Sequence, residues 1–256
     1  MTQTRIESFG SATDVPHIQA ALTVTASGTQ AANSPRNAER SLIAKNTILS
    51  ELSDIEVSYQ ESVCGELRSC SLSDFFDWIE DGRYRHQVDA IRTLYSLVLE
   101  ETADEKAAKK AVSELKKALP AITPSGLFEG ARKRENLRKY SKHICYDVDG
   151  CKPGAIMDAL PNCPHVRVGF ISPTSTGIKL FVPVDAANDG SDHSALWQAG
   201  KVMVKKFLGV SVDESRKDVT GLCFISAGKA YHNESAIPGA LLSWSTVRGI
   251  ALFSLH

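Results

Sequence analysis

Along the chain, hydrophobic and polar positions fall into three regimes. Gly10 to Arg40 is rich in Ser, Thr, Ala, Asn and Gln and has no sustained period, which predicts a disordered or weakly ordered arm. A short helix is expected from Ala38 to Leu52, so residues 1–52 read as an N-terminal extension and 53–256 as one domain. From Ile55 the pattern tightens. Ile55 to Tyr59 alternates like a strand. Ser71 or Ser73 can cap a helix carrying Phe75, Phe76, Trp78 and Ile79. Tyr84 to Glu100 puts Val88, Ile91, Leu94, Tyr95 and Val98 at helical spacing. Thr102 to Leu119 predicts a third helix, with acids in its first turn, Lys116 and Lys117 in its last, and Pro120 as its stop. Ala121 to Phe128 reads as a turn-rich loop.

The third regime is a set of apolar runs short enough to be buried strands: Ile144 to Val148, Val166 to Ser172, Ile178 to Val184 and Leu222 to Ser226. A helix around Gly154 to Leu160 separates the first two, and a longer one, Ser194 to Leu208, separates the last two. Strand, helix, strand, strand, helix, strand is the order of a split β-α-β sheet. The expectation is an α/β (α+β) core with its helices packed on one side of the sheet, preceded by a helical N-terminal part.

Composition narrows the function classes. Hydrophobic residues make up 43% and charged residues 23% of 256, the balance of an ordinary soluble globule. A formal net charge of -1 excludes a globally basic nucleic-acid coat, so any polyanion site must be a local patch. No apolar run approaches a membrane span, and the N-terminus lacks the pattern of a signal peptide. The expectation is a cytoplasmic chain with no membrane partner and with reduced thiols. Cys151, Cys163 and His165 are a weak zinc candidate, because their spacing matches no common ligand pattern.

Four segments carry candidate chemistry. Asp147 and Asp149 close an apolar run, two residues apart, so a continuing strand would turn both to one face. Two carboxylates so placed repel unless a cation lies between them, and a hard cation such as Mg²⁺ or Mn²⁺ also recruits phosphate oxygens. Ser172 to Lys179 joins two strands with Ser175, Gly177 and other small or hydroxyl residues and ends in a lysine, a composition suited to phosphate. Asp218 stands just before the last apolar run and could add a third carboxylate. Arg132 to Lys142 holds six Lys or Arg against one Glu, and Arg132, Lys133, Arg134, Arg138 and Lys139 are candidates for a nucleic-acid backbone.

In that order, the segments 119–128, 144–149, 170–182 and 217–226, with Tyr231 and Asn233, resemble the primase-polymerase-like domains of the archaeo-eukaryotic primase superfamily. The likeness is greatest to the N-terminal domain of VirE-type proteins of bacterial mobile elements and phages. The resemblance implies an RRM-like core and template-directed nucleotidyl transfer, making or extending primers from nucleoside triphosphates on a DNA template. By position Asp147, Asp149 and Asp218 look like the metal-binding acids, and Ser172, Ser175, Gly177 and Lys179 like the nucleotide-binding motif. Ser125 and Gly126 look like part of a companion loop. Lys179 stands where the wider superfamily has His, and Gly221 where related domains usually carry Arg, which keeps open a weakly active or purely DNA- or nucleotide-binding domain. Such proteins often continue into a helicase-like module. No P-loop is present, so any helicase would be a separate partner. Asp147-Val148-Asp149-Gly150 also resembles the nucleophile motif of haloacid-dehalogenase-type phosphatases, but Cys151 follows where that family usually has Thr.

Overall fold

A computed structural model describes residues 35–233 and 242–243. The expected arm, apart from the start of its closing helix, lies outside the described residues. One compact unit begins at Glu39. Helix α1 (Pro35–Leu52) buries Ile48 and Leu52 of its last two turns in the core. Glu51 on that helix also pairs with Arg167.

Strand β1 (Glu56–Gln60) forms a hairpin with β2 (Arg68–Ser71). Ser71 then caps α2 (Leu72–Glu80) in a reciprocal capping box with Asp74, and Leu72, Phe75, Phe76 and Ile79 are buried. Helix α3 (Arg85–Thr102) follows. The single third helix expected from Thr102 to Leu119 is two pieces, α4 (Glu105–Ala111) and α5 (Ser113–Lys117). Val112 divides them at φ -90 and ψ 0, and its side chain is buried. The turn-rich reading of Ala121 to Phe128 is corrected to two short strands, β3 (Ala121–Thr123) and β4 (Gly126–Phe128). Pro120 and Pro124 flank β3, where a missing N–H is tolerated. The register puts Ala121 and Ile122 against β1, and all three residues of β3 are buried.

Strand β4 pairs with β5 (Leu137–Tyr140), and β6 (His143–Asp149) follows at once. Then come α6 (Pro153–Ala159), β7 (Val168–Ile171), β8 (Gly177–Pro183) and α7 (His193–Leu208). Short strands β9 (Cys223–Phe224) and β10 (Tyr231–His232) close the described chain. Both β6 and β7 lie antiparallel to β8, on its two edges, so β6-α6-β7 is a split β-α-β unit, as expected. The fold is α+β with antiparallel sheets, ordered β2-β1-β3-β9 and β10-β7-β8-β6, plus the β4-β5 ribbon.

The fourth apolar run departs from the expectation. Its strand β9 pairs with β3, in the other sheet. Beside β6 the N–H of Asp213 instead donates to the carbonyl of Asp147 at 2.7 Å. Two apolar clusters sandwich the β10-β7-β8-β6 sheet. Ile144, Tyr146 and Val148 of β6, with Ile178, Leu180 and Val182 of β8, pack with Leu196, Trp197, Met203 and Val204 of α7. On the opposite face Phe170 and Phe181 meet Phe75 and Phe76 of α2 edge-on.

Candidate functional site

The strand period places Asp147 and Asp149 on the face of β6 turned away from α7. Asp147 sits opposite Lys179 of β8 in the ladder, and Asp149 opposite Gly177. Lys179 and Asp147 are both buried and joined as an ion pair through Asp147 Oδ2. Burial pushes the Lys179 ammonium down, but the Asp147 carboxylate and the nearby Cys223 and Cys145 thiols outweigh it, so Lys179 is held above the ordinary lysine value. The other oxygen, Asp147 Oδ1, is buried with no hydrogen-bond partner among the described residues. Asp149 is half exposed and lies 3.9 Å from Lys109.

Gly150 continues at φ +63, in the left-handed region that favours glycine. Gly177 is needed for a different reason. A Cβ there would stand 2.5 Å from the Val148 carbonyl and 2.9 Å from Asp149 Oδ1. The two strands therefore approach more closely at the acid end than any side chain permits.

From Ser172 the chain turns tightly toward β8. The Ser172 hydroxyl accepts the Gly177 N–H at 3.2 Å and meets the Thr174 hydroxyl at 3.3 Å, and Thr174 meets Thr176 at 2.9 Å. Ser172, Thr174 and Thr176 line a cavity of about 310 Å³ together with Lys179, Asp149, Lys109, Lys116, Lys117 and Arg216. Ser175 does not join them. It adopts φ 62 and lines a separate cavity beside Arg92 and Lys229. Thr174 and Thr176 line the cavity in its place, because the left-handed backbone at Ser175 breaks the simple alternation that spacing assumes.

A narrow cleft adjoins this cavity and shares Lys179 and Arg216 with it. Asp147, Ser125, His193, Asp218 and Gly221 line the cleft. Asp218 is exposed, and its Oδ1 accepts from the Thr220 N–H at 2.9 Å and the Thr220 hydroxyl at 2.8 Å. The Thr220 N–H, outweighing burial, holds Asp218 below the usual carboxylate range, helped by the Thr220 hydroxyl, Arg134 and His193. Asp218 and Asp147 thus face one cleft. Among the described residues, however, no group of three or more His, Cys, Asp or Glu side chains has metal-binding geometry. The zinc candidate is not assembled either: the Cys163 thiol is buried against Met203 Sδ at 3.4 Å.

Asp147 and Asp149 are the side chains that would hold a hard cation. Asp147 Oδ1 is a buried orphan acceptor, and Asp149 offers a second carboxylate from the same strand face.

The basic stretch divides. Arg132 donates to the Thr220 carbonyl at 2.8 Å, and Arg134 lies near Asp218. Arg138 pairs with Glu129, and Lys139 with Glu56 at 3.6 Å. Lys133 is exposed. The expected backbone-binding row is therefore two cations beside the cleft, one solvated lysine and two ion-paired residues on β5.

Sequence reasoning missed Lys109, Lys116 and Arg216. Lys109 and Lys116 are seven apart with Val112 and Ser113 between, a helical stripe whose members all line the cavity. That spacing was the available signal. Arg216 carried none, standing in a loop of mixed charge. Gly221 also has a structural explanation. A Cβ there would stand 3.1 Å from the Asp218 carbonyl and 3.2 Å from that of Arg216, so a larger residue requires the loop to give.

Residues 114–230 match the family described as BT4734-like, N-terminal domain. The match covers just under half of the chain and includes Lys116, the acid pair, the hydroxyl loop, Lys179 and Asp218. No curated protein and no solved structure matches the chain. Among the described residues no helix is long and apolar enough to cross a membrane.

Proposed function

We propose that the protein catalyses metal-dependent nucleotidyl transfer on a DNA template, as a primase- or polymerase-like enzyme of a replicating mobile element or phage. The observation that carries this reading is the meeting, at one end of β6 and β8, of the cleft lined by Asp147 with the basic, hydroxyl-lined cavity lined by Asp149. Asp147 and Asp149 would hold Mg²⁺ or Mn²⁺. When bound, the ion supplies Lewis acidity to the attacking 3′-hydroxyl and charge neutralisation to the departing pyrophosphate. The chain's own groups hold the nucleotide. Ser172, Thr174 and Thr176 offer hydroxyls to phosphate oxygens, and Lys179 holds the Asp147 carboxylate in place from the neighbouring strand. Asp218 faces Asp147 across the cleft as the candidate third acid, and Arg132 and Arg134 flank it on the side where a template backbone would lie. The family match supports the reading because it spans all four segments on which the primase-polymerase resemblance rests.

The test is template-dependent incorporation of labelled nucleotide by the wild type, Asp147→Ala and Asp149→Ala. Loss of activity in both variants is expected, and activity that survives both changes would sink the assignment.

A second reading is nucleotide or DNA binding without transfer. It is favoured by the Lys179–Asp147 pair, which already neutralises the buried acid, and by the missing three-acid geometry. Nucleotide binding with no incorporation under any divalent ion would select it.

A further inference from the structure

We propose that Lys116 and Arg216, which no motif assigns, form a clamp for the polyphosphate chain of a nucleoside triphosphate. The proposal deepens the nucleotidyl-transfer reading and rests on it for the identity of the nucleotide. Lys109, Lys116, Lys117, Lys179 and Arg216 line the cavity against a single carboxylate, Asp149. Three of these cations are already engaged. Lys109 pairs with Glu105 at 2.9 Å, Lys117 with Glu114 at 2.8 Å, and Lys179 with Asp147. Lys116 and Arg216 have no ion pair among the described residues, and Arg216 Nε is buried without a partner. Burial depresses the Lys116 ammonium, and the neighbouring Lys179 charge lowers it further. Two partly buried cations facing each other's repulsion are unfavourable until an anion lies between them.

Both cations are anchored. The Lys116 ammonium stands over the Phe224 ring, 5.4 Å from its centre. Arg216 ends a 3-10 turn, Glu214–Arg216, that follows Asp213, whose N–H is fixed to the Asp147 carbonyl. One cation therefore comes from the helical half of the domain and the other from the strap bonded to the acid strand. A ligand touching both also meets the hydroxyls of Ser172, Thr174 and Thr176. About 310 Å³ accommodates a small anionic ligand, and a half-open site of that size suits a chain of phosphates ending in the cavity. With at least two cations to satisfy, the favoured ligand carries several phosphates and not one.

The experiment measures binding of a nucleoside triphosphate, the matching monophosphate and inorganic tripolyphosphate to the full chain by calorimetry, without template. Variants are Lys116→Met, which keeps the stem over Phe224, Lys116→Arg, Arg216→Met, and Lys106→Met as an equal loss of charge elsewhere. Thermal melts check that each folds. The expected result is tripolyphosphate competing with the triphosphate, an affinity loss of about tenfold or more in Lys116→Met and Arg216→Met, rescue by Lys116→Arg and no loss in Lys106→Met. Triphosphate affinity within about twofold of wild type in both folded methionine variants overturns the clamp, as does equal binding of mono- and triphosphate. Displacement of bound triphosphate by a single-stranded oligonucleotide, with tripolyphosphate inert, also overturns it. A wild type that binds tripolyphosphate through these residues but incorporates no nucleotide supports the clamp and breaks the transferase reading. Incorporation that is unaffected in the methionine variants does the reverse.

Discussion

Alternate residues of strand β6 live in different environments. Ile144, Tyr146 and Val148 face α7, and the Tyr146 hydroxyl reaches the carbonyls of Leu196 and Trp197, each at 3.3 Å. Cys145, Asp147 and Asp149 face the other way, toward Phe181, Lys179 and Gly177 of β8. The first face excludes water entirely and is held by area and shape. The second mixes apolar contacts with an ion pair and ends in an open, charged cavity. One strand can thus carry stability and chemistry at once, because a period of two keeps the two sets of side chains apart. Substitutions that separate stability from nucleotide handling test how complete that division is.

The largest effect is expected at Asp147. Asp147→Asn keeps the shape of the side chain but removes its charge and leaves Lys179 buried without its counter-ion, so incorporation per folded molecule should fall about a thousandfold alongside a stability cost of about 3–5 kcal/mol. Rate and melting temperature measured together decide the point: a variant that melts early and retains its turnover per folded molecule would contradict the division. Next in size is Leu180→Ala on the packed face. Leu180 is fully buried, so the change should cost about 2–5 kcal/mol in chemical denaturation. Triphosphate affinity of the folded protein should stay within about twofold. A tenfold loss would mean that packing under the sheet sets the site's geometry. Gly177→Ala sharpens the comparison, since Gly177 belongs to the packed strand but crowds Val148 and Asp149. Parting the strands should cost about 1–3 kcal/mol and raise the divalent-ion concentration needed for half-maximal activity. A cost with no change in ion dependence would confine Gly177 to a packing role.

The residues legible in the sequence were those whose information is local. Asp147 and Asp149 close an apolar run, and Lys179 opens the next one but one, so alternation alone put them at strand ends. The apolar stripes of α2, α3 and α7 were equally local. What escaped depended on partners distant in the chain. Ala121 to Thr123 is a strand only because β1 and β9 lie on either side of it, and its bounding prolines made it read as a loop. The fourth apolar run was assigned to the wrong sheet because an apolar pattern gives burial and not the identity of the neighbour. Lys116 and Arg216 are a hundred residues apart, and their convergence comes from the packing of β9 and the Asp213 strap. Ser175 departs locally, where a left-handed backbone places it beside a different cavity from Thr174 and Thr176.

His193 gives the smallest but most direct measure of coupling between the two faces. It opens α7, the helix of the packed face, yet its ring lines the cleft that holds Asp147 and Asp218. The Tyr140 hydroxyl meets its Nδ1 at 2.8 Å. Burial lowers its pKa to about 4 from the ordinary 6.5, with Arg134 adding to the shift and Asp218 and the Lys217 carbonyl opposing it. The depressed value means that the unfolded chain takes up a proton before the folded one does. Stability from this group is therefore complete above pH 6.5 and is lost as pH falls toward about 4, with a slope approaching about 1.4 kcal/mol per pH unit. Denaturant titrations at several pH values should show that slope in the wild type and a flatter profile in His193→Gln. If triphosphate affinity stays constant over the same window, the neutral imidazole serves the packing of α7. If affinity moves with stability, the ring ties that packing to the acid cleft, and the two faces of β6 are not independent.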